Sequence, residues 1–79
     1  MNPRVLTVEY KDDYKLLLTF TNKEVKLFDL LAYLNYPVYE PLKDEAFCKK
    51  VKAIDGIIQW NDYIDFSPDT VYLESKLVL

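Results

Sequence analysis

The residues best placed for chemistry are four carboxylates, Asp62, Asp65, Asp69 and Glu74, within a short stretch of the chain. Carboxylates gathered at a loop hold Mg2+ or Ca2+ through their oxygens. The spacing here fits no Ca2+-binding loop, because the glycine turn and the terminal Glu at the required offset are missing. Simple structural roles account for three members separately: Asp62 in a turn after Trp60, Asp69 in the first turn of a helix, Glu74 on a solvated face. Asp65 lies between apolar Ile64 and Phe66, just before Ser67. A carboxylate there is suited to accept backbone N–H groups and brace the entry to a helix. The alternative is a general acid with a raised pKa in a cleft. The structural role is the stronger reading, and no catalytic, cofactor-binding or metal-ligating residue is assigned.

Other chemistries are limited by residue types. The chain has no His, which removes the usual general base and the commonest metal ligand together. A Ser–His or Cys–His nucleophile cannot be assembled from it. The single cysteine, Cys48, allows no internal disulfide and fits a reducing compartment. As a nucleophile it would need a neighbour that stabilises the thiolate, and Lys49 and Lys50 point elsewhere on a helix. Trp60, Tyr63 and Tyr72 have the composition of an aromatic ligand platform, although Trp is also what a small core uses for bulk. Tyr33, Tyr36 and Tyr39 surround a proline-containing loop. Exposed tyrosines of that kind mark protein interfaces, and these three are the candidate interface residues.

Charge narrows the partners. Ten basic residues against thirteen acidic ones give a net charge of −3, with Arg4 the sole arginine. Phosphate contacts need clustered Lys or Arg, and the nearest approach, Lys43, Lys49, Lys50 and Lys52, reads as a solvated helix end. No nucleic-acid partner is expected. No apolar run approaches the roughly 20 residues needed to span a bilayer, and no signal-peptide pattern opens the chain. A cytoplasmic protein away from the membrane is the expectation.

The elements that would carry these residues follow from periodicity. At 79 residues, 51% of them hydrophobic, the chain reads as one domain, residues 1–79. Arg4–Tyr10 alternates, with Leu6, Val8 and Tyr10 on one face and Val5, Thr7 and Glu9 on the other. After the polar break Lys11-Asp12-Asp13, Tyr14–Phe20 resumes the alternation with Tyr14, Leu16, Leu18 and Phe20. Asn22-Lys23 sits where a two-residue turn would join this strand to the next. That turn sets Phe20 opposite Val25 and Leu18 opposite Leu27. Asp29 suits the N-cap of a short helix over Leu30–Asn35, and Pro37 and Pro41 predict an extended, irregular Tyr36–Leu42. A helix from Lys43 or Asp44 to Lys50 would turn Phe47 and Val51 to the core.

Asp55-Gly56 is the strongest local signal, a dipeptide suited to a type I′ hairpin turn. Pairing outward from it puts Val51, Ala53, Ile58 and Trp60 on one apolar face. Ser67, Pro68 and Asp69 then supply the N-cap, the first helical position and a dipole-complementing acid for a helix to about Ser75. Lys76–Leu79 is an apolar tail without an assigned partner. The fold class is therefore α+β: an antiparallel sheet of about five strands, a meander plus a hairpin, with two or three short helices. The junction between meander and hairpin does not follow from the sequence.

Several of these residues carry a resemblance. Pro3-Arg4-Val5, Leu16–Phe20 with its turn, and Phe28-Asp29 resemble the opening of the small bacterial proteins known as domain of unknown function 2442. The run from Trp60 to Tyr72 resembles that family's most recognisable stretch, with Trp60, Asp65, Ser67, Pro68, Asp69 and Tyr72 as its structural motif. Members tend to have Gly where this chain has Lys23, and often Pro where it has Asn61. The resemblance implies a compact α+β fold and an uncharacterised function. It also implies a small neighbouring gene product, the basis of a toxin–antitoxin-like proposal.

The function expected is thus a protein-binding module that is not an enzyme, with a protein partner and an antitoxin-like role as one version. The rival readings are a small metal-dependent enzyme using Asp62, Asp65 and Asp69, and a structural homo-oligomer.

Overall fold

The computed structural model describes residues 2–78. Within them the α+β class holds, and the strands divide between two antiparallel sheets that meet at β1. The first sheet has the order β1-β2-β3-β7, from β1 (Val5–Lys11), β2 (Lys15–Phe20), β3 (Val25–Asp29) and β7 (Lys76–Leu77). The second has the order β4-β5-β6, from β4 (Lys52–Ile54), β5 (Ile57–Gln59) and β6 (Asp65–Phe66). Two 3-10 helices, Leu31–Tyr33 and Pro37–Lys43, and two α-helices, α1 (Glu45–Cys48) and α2 (Pro68–Glu74), complete the chain. The core lies between the sheets: Val5, Leu16, Leu18, Phe20 and Phe28 from one, Ile58, Trp60 and Phe66 from the other.

Two registers differ from the alternation read in the sequence. In β1, Val5 pairs with Phe20 while Thr7 pairs with Thr19, so Leu6 is the extra residue of a β-bulge. The bulge shifts the phase by one. Val5 is therefore buried together with the inward Val8 and Tyr10, and Leu6 is 55% exposed. The β2–β3 connection is three residues, not two. Phe20 N–H donates to Glu24 C=O at 2.9 Å, and Lys23 takes a left-handed φ of 72°. This is the three-residue hairpin, a turn followed by one αL position. The longer loop moves β3 by one residue, pairing Leu16 with Phe28, Leu17 with Leu27, and Leu18 with Lys26. Because side chains alternate, that step exchanges the faces. Phe28 and Lys26 turn inward; Val25 and Leu27 turn out.

The Asp55-Gly56 hairpin forms as expected, with Ile54 opposite Ile57, Ala53 opposite Ile58 and Lys52 opposite Gln59. Both turn residues have positive φ, 52° and 87°. Its junction with the meander is a seam at β1. Val5 N–H donates to Gly56 C=O at 2.9 Å, and the Arg4 guanidinium donates to Asp55 C=O at 2.6 Å. The tail also finds a place: Lys76 and Leu77 pair with Leu27 and Lys26 as an edge strand, while Leu79 lies outside the described residues.

The proline segment is not extended. Pro37 begins a 3-10 helix that runs to Lys43 with Pro41 inside it. Proline's fixed φ fits a helical first position, where no N–H is required. Two caps work as the sequence suggests: Asp44 and Ser67 accept the N–H groups of Ala46 and Asp69. The first helix is shorter than expected, a 3-10 turn whose N-cap is Leu30, and Asp29 accepts Leu31 N–H from one residue before that cap.

Candidate functional site

The tyrosines of the proline loop are gathered by Phe66. Strand β6 holds Phe66 opposite Ile58, and its ring is only 3% exposed. Tyr39 stacks on it with centroids 4.6 Å apart and planes 9° from parallel, and Tyr33 meets it edge-on at 5.1 Å. Phe28 and Trp60 close the buried side at 5.3 and 6.0 Å from Phe66. Tyr36 lies 6.2 Å from Tyr33 at the outer end. Tyr33 and Tyr39 are thus half-buried supports, whereas Tyr36 is 57% and Val38 is 55% exposed. The 3-10 turn makes this outward display, since Tyr36 C=O is tied to Tyr39 N–H at 2.9 Å.

Carboxylates edge this cluster. Burial raises the Tyr33 hydroxyl above its ordinary pKa, and Glu74 adds to the shift. Tyr39 is raised by burial and then by Asp65. Among the described residues neither Asp65 nor Glu74 is in an ion pair. An apolar and aromatic surface edged by two anions recognises guanidinium, ammonium and apolar side chains.

The remaining candidates do not converge. Trp60 is in the core, where its indole N–H donates to Cys48 C=O at 2.8 Å. Tyr63 is 86% exposed, and Tyr72 packs edge-on against Phe20 at 5.0 Å. Asp62 lies in a loop, Asp65 on β6, and Asp69 and Glu74 at opposite ends of α2. Among the described residues, no three of His, Cys, Asp or Glu come together in a metal-binding group. Asp65 is exposed and takes no backbone N–H. That service falls to Asn61, whose side-chain oxygen accepts from Tyr63 and Ile64 N–H at 2.8 and 2.9 Å. Asn61 thus closes the loop through hydrogen bonds. Cys48 is fully buried, and burial with Glu45 nearby pushes its thiol up to about 11. Lys43, Lys49, Lys50 and Lys52 are all exposed.

One polar network was not visible in the sequence. Tyr72 Oη donates to Glu24 at 2.5 Å, and Asn22 donates to the same carboxylate oxygen at 2.9 Å. Those two bonds hold the Glu24 carboxyl below its usual range. Lys26 lies 3.8 Å from the Tyr72 ring centroid and donates to Tyr72 C=O at 2.6 Å. The network clamps α2 onto the β2–β3 hairpin. The signal for it was Lys26 facing inward, which only the three-residue loop reveals.

No helix among the described residues is long and apolar enough to cross a membrane. The family model described as protein of unknown function (DUF2442) matches residues 5–76, and the chain belongs to that family. No curated protein and no solved structure matches it.

Proposed function

We propose that this DUF2442 chain is a protein-binding module that meets its partner through Tyr36 and Val38, at the start of the second 3-10 helix and next to the cluster of Tyr33, Tyr39 and Phe66. The carrying observation is that Tyr36 and Val38 stand more than half exposed, with Tyr36 beside Tyr33 in a cluster of rings built on buried Phe66. Rigid aromatic anchors lose little conformational entropy on binding, and interfaces are enriched in them. The carboxylates Asp65 and Glu74 favour a basic partner surface. An antitoxin-like role, an acidic module neutralising a basic neighbour, is one version of this reading. The chain then acts by recognition in the cytoplasm and not as an enzyme. The rival use of Asp62, Asp65 and Asp69 as metal ligands has no gathered carboxylates to support it.

The test is co-expression with the product of the adjacent gene, followed by light scattering on the purified complex. A complex of defined stoichiometry is expected. Tyr36→Asp with Val38→Asp should weaken it by about thirtyfold, the loss typical of a central aromatic anchor. No complex, or one indifferent to both substitutions, overturns the reading.

A further inference from the structure

The four-stranded sheet has one face on the core and one face open. The open face carries three rows across the strands, each fixed by pairing. One row runs Glu9, Leu17, Leu27, Lys76. The next runs Lys11, Lys15, Asp29, with Glu74 beside Asp29 in a concavity of about 420 Å3. The third runs Thr7, Thr19, Val25, and Val78, whose N–H donates to Val25 C=O at 3.0 Å. In charge the first row reads negative, apolar, apolar, positive, and the second positive, positive, negative, negative. Both rows change sign about the line between β2 and β3.

That antisymmetry has a specific meaning. A second copy turned by half a revolution about an axis along the strands, midway between β2 and β3, lays each row over itself in reverse. Glu9 then meets Lys76 of the other copy, Lys11 meets Glu74, Lys15 meets Asp29, and Leu17 meets Leu27. Every charged meeting is between opposite signs, and each occurs twice because the contact is isologous. Leu17 of the second copy arrives over Leu27, which lines the concavity. Twisted sheets stack face to face with strands within about 30° of each other, so this approach is a normal sheet packing. Within one copy the same charges make only the exposed pairs Lys11–Glu9 at 2.9 Å and Lys15–Asp29 at 3.5 Å.

We propose that this outer sheet face is a homodimer interface whose occupant is a second copy of the chain, joined by the two-fold just described. Four strands about 4.8 Å apart, with β3 five residues long and β7 two, cover at most about 19 by 17 Å, roughly 320 Å2 a copy. That footprint lies below the roughly 800 Å2 a side of standard interfaces, so association is weak, on the order of 100 µM. The surface excludes Tyr36 and Val38 and shares only Glu74 with the edge of the tyrosine cluster.

Sedimentation equilibrium over about 1 µM to 1 mM is the experiment, with circular dichroism confirming that each variant is folded. The mass should rise from 9.4 kDa toward twice that value. Glu9→Lys alone and Lys76→Glu alone should each weaken the dimer about tenfold or more, since each makes two like-charge meetings. The double variant should recover most of the affinity. Tyr36→Asp should leave it unchanged. A wild-type chain that stays monomeric throughout overturns the proposal, and so does a dimer that either charge reversal leaves intact or that the double variant fails to restore.

Discussion

Gly56 answers two demands at once. Its φ of +87° is a conformation that side-chain-bearing residues rarely adopt, and a Cβ built there would run into the Arg4 side chain. Gly56→Ala should therefore cost about 1 kcal/mol from the backbone and about 1 more as Arg4 moves and loses its bond to Asp55 C=O. Urea denaturation is the measurement; a loss under about 0.5 kcal/mol would mean that Arg4 does not hold the turn. The turn itself was legible, because a type I′ geometry constrains two adjacent residues whatever surrounds them. The Arg4 contact was not, since it joins positions 51 apart in sequence. Tyr14, with a φ of 60°, is the opposite case. Its residue type does not favour that conformation, and partners hold it: its N–H donates to the Tyr10 hydroxyl, its own hydroxyl donates to Lys43 C=O, and its carbonyl accepts Leu30 N–H.

Among the elements, those set by local chemistry were readable and those set by phase were not. Ser67-Pro68-Asp69 starts α2 because cap, fixed φ and dipole all agree. Strand β3 shows the contrary. Val25 and Leu27 outrank Lys26 in hydrophobicity, yet the inner face takes Phe28, which is buried, and Lys26, which is partly so. The lysine stem packs inside while its ammonium finds the Tyr72 ring and carbonyl. Leu6 was misplaced for a related reason: a bulge adds a residue without any mark in an alternating pattern. For the candidate surface, the three tyrosines were readable as types. Their division into two supports and one exposed tip depends on Phe66, a partner distant in sequence. The loop offers a direct check. Lys23→Gly places at φ 72° the residue that tolerates it, and should stabilise the protein by about 0.5–1 kcal/mol in urea. Destabilisation instead would show that the Lys23 side chain does something beyond closing the turn.

At the scale of the whole molecule, the fold holds groups that resist ionisation. Burial, then the hydrogen bond to Glu45 at 2.6 Å, pushes Tyr10 up from 10.0 to about 12. Cys48 goes from 9.0 to about 11 through burial. Both are acids whose neutral forms the folded state favours. Their contribution is fully present below pH 9 for Cys48 and below pH 10 for Tyr10. It is lost as pH rises through about 11 and about 12 respectively. Urea midpoints measured from pH 8 to 12 should fall, and Tyr10→Phe should fall less steeply above pH 10. Equal slopes would mean that Tyr10 ionises as freely folded as unfolded.

The seam at β1 also bears on synthesis. The first strand reaches its second set of partners only when residues 55 and 56 have left the ribosome, seconds after the meander itself has emerged at ordinary elongation rates. Until then the meander's apolar inner face lacks the cover that Ile58, Trp60 and Phe66 give it. Closing so long a loop also places this small protein among the slower folders of its size.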